Sequence, residues 1–278
     1  IIADGEIVGG EALDQISSDR FLKEIRKARK NEDVKAIVIR INSPGGSVIA
    51  SEVIWRELSE AQKEKPLIAS MSNYAASGGY YIAAPADTIV AYPNTITGSI
   101  GIFGLWFNAK GFLNNKLGIT TDEVKTGQYS NLLDPTKTIS ETEKAIMQKK
   151  VEEGYDTFIS RVSEGRKMSK EQVLAIAGGR VWSGKMAKEK GLVDVLGGFD
   201  DAIEIAAKKA GIEEDYKLVV YPKQKSMLEQ IMEDFGTDVE STYQRIKMGQ
   251  SYEIFKTLEK LEKLQGRMVL LPFQSEIK

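Results

Sequence analysis

Strand-like and helix-like patterns alternate along the first two thirds of the chain. Residues 34–41 form an apolar run that is typical of a buried strand, and the next apolar residues, from Val48 to Leu58, recur at helical spacing. Further apolar runs follow at 66–71 and 87–91. Because parallel strands need a crossover between them, this alternation predicts an α/β fold with a mainly parallel sheet.

The same reading predicts further elements. Helices are expected at 17–30, 108–117, 140–165, 184–190 and 200–210, with another beginning at Ser169; strands are expected at 1–5, 119–125 and 217–221. Ser18 or Asp19 should cap the first helix, and Ser140 with Glu143 forms a capping box.

The composition shifts near the C-terminus. Residues 227–235 and 239–265 have charged, amphipathic helical patterns, and an apolar stretch follows at 268–273. We therefore divide the chain into a domain at 1–222 and a helical appendage at 223–278. The apolar side of the appendage would otherwise be exposed, so we expect it to pack on a neighbouring subunit or on another half of the protein.

Composition excludes several kinds of chemistry. The 278 residues carry a net charge of −2, which gives no reason to expect nucleic acid as a partner. The chain has no cysteine, so disulfides and thiol catalysis are excluded. It also has no histidine, which excludes a Ser-His-Asp triad and a His-ligated zinc site within it. A nucleophilic serine must therefore use another base, of which lysine is the most plausible, and we predict no metal and no cofactor.

The chain begins with Ile and with a strand-like sequence, so we expect a fragment of a longer protein. The longest weakly polar stretch, 96–107, is rich in glycine and too short to span a bilayer. Any membrane anchor is expected in a segment outside this chain.

A serine stands at a predicted junction between a strand and a helix. The stretch from Ser72 to Tyr81 follows the apolar run 66–71 and leads into a helical pattern, with Ser77 at the turn. A serine in this position is lifted above the edge of the sheet, and the amides of Gly78 and Gly79 lie unpaired at the start of the helix, where they stabilise negative charge. A helix-capping serine followed by a glycine turn would have the same sequence.

Four ordered motifs carry a family resemblance. They are Ile41-Asn-Ser-Pro-Gly-Gly-Ser47, Ala75-Ala-Ser-Gly-Gly-Tyr-Tyr81, Thr97-Gly-Ser-Ile-Gly101 and Gly191-Leu-Val-Asp194. Over residues 1–221 the chain resembles the signal peptide peptidase A family, also called protease IV, and most closely the C-terminal half of its long, two-half form. The resemblance implies the Clp-protease/crotonase fold, with stacked ββα units.

The resemblance also implies roles for individual residues. Ser77 corresponds to the nucleophile, Gly46 and Gly78 to the amides that stabilise the oxyanion, and Ser99 to a serine that supports the lysine base. Short family members carry that lysine in a Gly-x-x-Lys loop, which here reads Gly127-Gln-Tyr-Ser130.

The base is therefore expected to be absent from this chain. In the long family members the N-terminal half supplies the lysine, while a deliberate Lys-to-Ser inactivation would leave the same residue at position 130. Lys125 is the obvious substitute, although a lone lysine at a strand end is usually a solvated surface residue.

We expect the substrate groove to include Gly45, Ile100, Ile102 and Phe103, with a peptide strand pairing at the sheet edge near Gly45. The three apolar residues suit apolar substrate side chains, although core packing would use them as well.

Three functions remain open from the sequence. The first is a serine peptidase of Ser/Lys type for hydrophobic peptides such as cleaved signal peptides. It would work in a homo-oligomer or with an N-terminal half, at the cell membrane and on its extracytoplasmic side. The second is a non-catalytic, peptide-binding scaffold or an inactivated variant. The third, an acyl-thioester enzyme of the crotonase type, fits poorly because such chemistry does not require the serine nucleophile.

Overall fold

The computed structural model describes residues 1–12, 14–221 and a strand at 266–270. Its strands are β1 (Ile2–Asp4), β2 (Ile7–Val8), β3 (Ile16–Ser17), β4 (Ile37–Ser43), β5 (Gly45–Ser47), β6 (Leu67–Ala76), β7 (Thr88–Ala91), β8 (Ile96–Gly98), β9 (Phe103–Leu105), β10 (Val181–Ser183), β11 (Val195–Leu196) and β12 (Gly266–Leu270). Its helices are α1 (Ser18–Lys30), α2 (Val48–Glu64), α3 (Gly78–Ala83), α4 (Lys110–Lys116), α5 (Glu141–Arg166), α6 (Lys170–Ile176), α7 (Gly184–Glu189) and α8 (Phe199–Ala210).

The larger sheet has the strand order β1-β4-β6-β7-β11, and every pair along that path is parallel. The C-terminal part of β6 also pairs in parallel with β8, which in turn pairs antiparallel with β10. The predicted α/β class with a mainly parallel sheet is confirmed.

Both faces of this sheet are covered. Along β4, Ile37, Ile39 and Ile41 are buried in the main core, together with apolar residues of α1, α2 and α3. Val38 lies on the opposite face and packs in a smaller cluster with Ile68 and residues of α8. Burial on two faces explains why the strands read as continuous apolar runs.

The second sheet has the order β3-β2-β5-β12-β9 and holds short strands. Strand β2 is parallel to β3 and β5, whereas β12 is antiparallel to both β5 and β9. The sheet therefore joins the turn after β4 to the glycine-rich stretch at 98–104.

Helix starts follow the sequence closely. The capping box of Ser140 and Glu143 is present, and a second one joins Ser169 to Gln172. The prediction for α1 was wrong by one or two residues: its N-cap is Ser17, whose side chain makes no capping hydrogen bond.

Two predicted strands are wrong. Residues 119–125 form no strand, and Val124 is 99% exposed. No strand of the described residues pairs with them, and β-propensity alone does not stabilise an unpaired strand. Residues 217–221 also form no strand, although the Tyr221 carbonyl accepts a hydrogen bond from the Ile2 amide at 3.0 Å. One such bond is not a ladder.

Strand β6 is longer than predicted, because residues 74–76 continue it by pairing with β8. The helices predicted at 227–235 and 239–265 lie outside the described residues. The first part of the apolar stretch that follows them belongs to β12. Among the described residues, no helix is both long and apolar enough to cross a bilayer.

A glycine contact in α5 provides a test of this packing. A Cβ on Gly165 would lie 2.0 Å from the Ala84 carbonyl oxygen, which follows α3, whereas a Cβ on Gly111 in α4 would meet nothing within 4 Å. We expect Gly165→Ala to lower the free energy of unfolding by at least about 2 kcal/mol because the packed backbones must separate. Gly111→Ala is the matched control and should raise it by about 0.5–1 kcal/mol. Urea denaturation measures both, and equal effects would contradict the close contact.

Candidate active site

Ser77 lies at the carboxyl end of β6, immediately before α3. Its backbone has φ 55° and ψ −116°, a conformation that residues with a side chain rarely adopt. Two backbone hydrogen bonds hold it there: the Ser77 amide donates to the Gly98 carbonyl, and the Tyr81 amide donates to the Ser77 carbonyl, both at 2.8 Å. A strained serine at the top of a parallel strand is typical of a nucleophile, since strain of this kind concentrates at functional sites.

The segment from Thr97 to Ser99 fixes the end of β6. Thr97 pairs with Ala75, and its hydroxyl also donates to the Ala75 carbonyl at 2.7 Å. Ser99 has a positive φ of 49°, and its amide donates to the Arg180 carbonyl at 2.8 Å. The hydrogen bonds of this segment therefore fix the point at which the chain leaves the sheet at Ser77.

Three glycines approach one another beside Ser77. A Cβ on Gly78 would lie 3.1 Å from the Gly45 Cα and 3.2 Å from the Gly46 amide nitrogen, which is closer than most real Cβ contacts. Gly46 has a φ of 156°, and a Cβ there would stand 2.0 Å from the Ile7 carbonyl oxygen. The turn after β4 and the start of α3 can thus meet because the residues in contact, Gly45, Gly46 and Gly78, have no side chains.

The meeting point follows from the topology. Strands β4 and β6 are parallel neighbours, so their carboxyl ends lie at the same edge of the sheet, and Ser43 pairs with Ala75 there. As the first residue of α3, Gly78 has an amide without an acceptor in its own helix. The arrangement brings together the two glycines that the sequence predicted as oxyanion donors.

Helix α3 is anchored on two sides by adjacent tyrosines. The Tyr80 hydroxyl donates to the Leu192 carbonyl at 2.9 Å, and the Tyr81 hydroxyl donates to Glu52 at 2.5 Å. Burial raises the pKa of both tyrosines, and the hydrogen bond to Glu52 adds to the effect at Tyr81, so both stay protonated donors. Arg161 pairs with Glu52 at 2.6 Å.

The network of Tyr81, Glu52 and Arg161 was missed by sequence reasoning. Its members come from three helices, α3, α2 and α5, and no spacing in the sequence connects them. The Tyr-Tyr pair after the glycines was the only available signal, since two large residues at a helix start must bury their hydroxyl groups somewhere.

Among the described residues, no base contacts the Ser77 hydroxyl. The residue is fully buried, and its Oγ has no hydrogen-bond partner among the described residues. A buried hydroxyl without a partner is unusual in proteins and marks a place where another group is expected. None of the described residues is therefore placed to take the proton of this serine.

Neither of the candidate base positions, Ser130 and Lys125, forms a hydrogen bond with Ser77 Oγ. Ser130 lies in an exposed loop, and its hydroxyl donates to the Gly127 carbonyl at 3.0 Å. Lys125 is exposed and forms an ion pair with Glu123 at 2.5 Å, so it is a solvated surface lysine. Ser99 is buried, and its hydroxyl donates to the Gly179 carbonyl at 3.3 Å.

The predicted groove residues are divided between the core and the second sheet. Ile100 is fully buried in the main core, and Ile102 packs against that core. Gly45 belongs to β5, and Phe103, 40% exposed, belongs to β9. These two strands flank β12, which pairs Leu270 with Gly45 and Met268 with Phe103.

Two aspartates have structural roles. Asp194 accepts from the Ile89 amide at 2.7 Å and pairs with Arg166, and Asp87 accepts from the Leu67 amide at 2.8 Å. Among the described residues, no group of three or more carboxylates is arranged to hold a metal ion.

Comparison with known proteins places this geometry in a family. The model of peptidase family S49 matches residues 59–213, more than half of the chain, and the match includes Ser77 and the whole of α3. The chain belongs to peptidase family S49.

Named relatives of this S49 chain include peptidases. It is 43% identical over 241 residues to protease 4 of Salmonella typhi, covering 86% of this chain and 38% of that protein. It is 36% identical over 197 residues to a putative signal peptide peptidase SppA of Enterococcus faecium, covering 70% of this chain and 57% of that one. The chain thus spans less than two thirds of the length of both relatives.

Among solved structures, a ClpP1 mutant from Listeria monocytogenes matches with a TM-score of 0.49 and 18% identity. The match covers 73% of this S49 chain and 93% of that one.

The lone hydroxyl of Ser77 leads to a stability prediction. We expect Ser77→Ala to raise the free energy of unfolding by about 1–2 kcal/mol, because it removes a buried polar group that has no partner among the described residues. Ser70→Ala is the matched control: Ser70 is equally buried, but its hydroxyl accepts from Arg40 at 2.8 Å, so its loss should destabilise the chain. Chemical denaturation gives both values. A loss of stability in Ser77→Ala would show that the hydroxyl has a partner in solution.

Proposed function

We propose that this chain is the nucleophile-bearing part of a serine peptidase of Ser/Lys dyad type, which hydrolyses hydrophobic peptides such as cleaved signal peptides. The observation that carries the proposal is the strained Ser77 at the end of β6, with Gly78 and Gly46 packed beside it. Membership of peptidase family S49 and the names of the relatives support the same reaction class.

In the proposed reaction Ser77 Oγ attacks the peptide carbonyl carbon, while its proton passes to the neutral Nζ of a lysine. The carbonyl oxygen becomes negative and accepts from the amides of Gly46 and Gly78; one such donor is typically worth about 3 kcal/mol of the barrier. The C–N bond then breaks, the protonated lysine gives its proton to the leaving amine, and water hydrolyses the ester on Ser77.

The lysine is proposed to come from outside this chain, either from an N-terminal half or from a neighbouring subunit. Three observations support this. Ser130 occupies the position of the lysine in short family members, Ser77 Oγ has no partner among the described residues, and Lys125 is paired with Glu123. The chain also corresponds to only 38% of the Salmonella protease 4. A partner that brings a buried lysine would lower its pKa through desolvation, as a general base near neutral pH requires.

The substrate is proposed to bind as an extended strand along β5 and β9. Strand addition at a sheet edge gives affinity through the main chain and leaves alternate side chains to pockets. An extended segment, β12, already pairs antiparallel with both strands, which supports a site that binds the main chain of a peptide.

A specific substitution tests the missing base. We expect the chain alone to show background hydrolysis of a hydrophobic fluorogenic peptide, and Ser130→Lys to raise the rate by about 10²–10⁴-fold, the usual contribution of a general base. The rate should increase with pH as the lysine loses its proton, and Ser77→Ala should abolish it. Ser130→Arg is the matched control, because a guanidinium is always protonated and cannot act as the base.

If the Ser130→Lys chain folds normally but remains inactive, the base must come from another polypeptide. Adding the N-terminal half should then allow a fluorophosphonate probe to label Ser77. No labelling in any assembly would favour the second function, a non-catalytic peptide-binding scaffold. The observation that motivates this alternative is that Ser130 is exposed and hydrogen-bonded within its own loop.

We further propose that the chain works in a homo-oligomer, held at the membrane by a segment outside it and facing the extracytoplasmic side. Helix α4 buries none of its residues, and Phe112, Leu117 and Val124 are exposed apolar side chains in the same region. Exposed apolar residues in this number are typical of an interaction surface.

Sedimentation of the purified chain measures this assembly. We expect a species heavier than the 30.8 kDa monomer, and Val124→Glu should shift it toward the monomer. Lys116→Glu changes charge nearby without removing apolar surface and should not. A monomer at all concentrations would contradict the oligomer, and recovery of the full-length protein in the soluble cytoplasmic fraction would contradict the membrane assignment.

A further inference from the structure

Ser77 is held at the end of β6 through the carbonyl of Gly98, the last residue of β8. The Ser77 amide donates to that carbonyl at 2.8 Å. Gly98 has a φ of 78°, in the left-handed region that favours glycine. Whatever fixes the backbone of Gly98 therefore also fixes the position of the Ser77 amide.

The opposite side of β8 is bound by β10. The two strands pair antiparallel, and Val181 lies opposite Gly98. The pairing continues past the end of β8, where the Ser99 amide donates to the Arg180 carbonyl at 2.8 Å. Strand β8 therefore lies between β10 and the strand that carries Ser77 at its end.

The indole ring of Trp182, in the middle of β10, covers Gly98. A Cβ on Gly98 would lie 2.7 Å from Trp182 Cδ1, so the ring packs directly on the glycine backbone. The indole Nε1 donates to the Ile176 carbonyl at 3.1 Å, and Lys190 Nζ lies 4.2 Å from the centre of the ring. The half-buried ring also packs against the main core.

The ring is tied to a helix that is itself held in the core. Ile176 ends α6, and Val173 of the same helix is fully buried in the main core. Arg180 donates to the carbonyls of Ala175 and Ala177 at 2.6 and 2.8 Å. Arg180 and Trp182 thus bind the last carbonyls of α6, which have no acceptor role within the helix, and link this helix end to β8.

We propose that Trp182 is a positioning residue for the nucleophile: its ring fixes the backbone of Gly98, and the Gly98 carbonyl in turn holds Ser77. This inference rests on the proposed function, because it gives Ser77 the role of nucleophile. Trp182 acts through Gly98 and not on the substrate. Without the ring, Ser77 should relax from its strained conformation, because such strain persists only where the surrounding structure imposes it.

Amide hydrogen exchange, followed residue by residue by NMR on the full chain, tests the proposal without catalysis. In Trp182→Ala the exchange of the Ser77 amide should accelerate about ten-fold or more, whereas the Ile39 amide in β4 should keep its parent rate. Trp182→Phe keeps a ring on Gly98 and should stay within about three-fold of the parent at Ser77.

Ile25→Ala is the matched control. It removes a fully buried apolar side chain from α1, a helix that packs against α2. It should therefore accelerate exchange in α1 and leave the rate at Ser77 unchanged.

Enzyme kinetics give a second measurement, in the Ser130→Lys chain or in the assembly with the N-terminal half, whichever hydrolyses a hydrophobic peptide. Trp182→Ala should lower kcat by about ten-fold or more and leave KM within about two-fold, because the nucleophile is displaced and the peptide-binding strands are not. Trp182→Phe should restore most of kcat.

Each outcome decides the proposal. Parent exchange rates at Ser77 in Trp182→Ala would overturn it, as would an unchanged kcat or an equal acceleration at Ser77 and Ile39, which would indicate general destabilisation. If Trp182→Ala does not fold by circular dichroism, Trp182→Leu replaces it with the same expectation. Selective acceleration at Ser77, without hydrolysis or fluorophosphonate labelling in any assembly, would retain the role of Trp182 and reject the peptidase.

Discussion

The close approach of two backbones organises this molecule. Gly78 at the start of α3 packs against Gly45 and Gly46 in the turn after β4, at distances that leave no room for a side chain. The approach is possible because β4 and β6 are parallel and end at the same sheet edge. Ser77 lies directly beside this contact with a positive φ, and the hydrogen bonds of Tyr80 and Tyr81 hold α3 in place after it.

Much of the fold could be predicted because local pattern and final environment agree. Strands β4 and β6 are buried on both faces, so their apolar runs were unambiguous, and the capping box at Ser140 marks its helix without tertiary help. The strand expected at 119–125 shows the limit of this reading. Its alternation is compatible with a strand, but a strand needs a neighbour, and in the described residues none is supplied.

The residues of the candidate site could be predicted from sequence motifs, but the hydrogen-bond network that holds them in place could not. The glycine motifs gave Ser77, Gly46 and Gly78, whose proximity in the structure follows from the order of parallel strands. Glu52 and Arg161, which hold Tyr81, belong to helices that are distant in sequence, and only folding brings them together. Ile100 shows that the same apolar residue type serves the core as readily as a groove, since it is fully buried in the main cluster.

The unpartnered hydroxyl of Ser77 also bears on how such an enzyme could be made safely. If the base comes from another polypeptide, as proposed, the nucleophile is harmless while the chain is being synthesised and folded, because its hydroxyl has no hydrogen-bond partner among the described residues. Under the proposed mechanism, hydrolysis begins only when a second polypeptide surface arrives. Assembly itself would then be the activation step, and no propeptide would have to be removed.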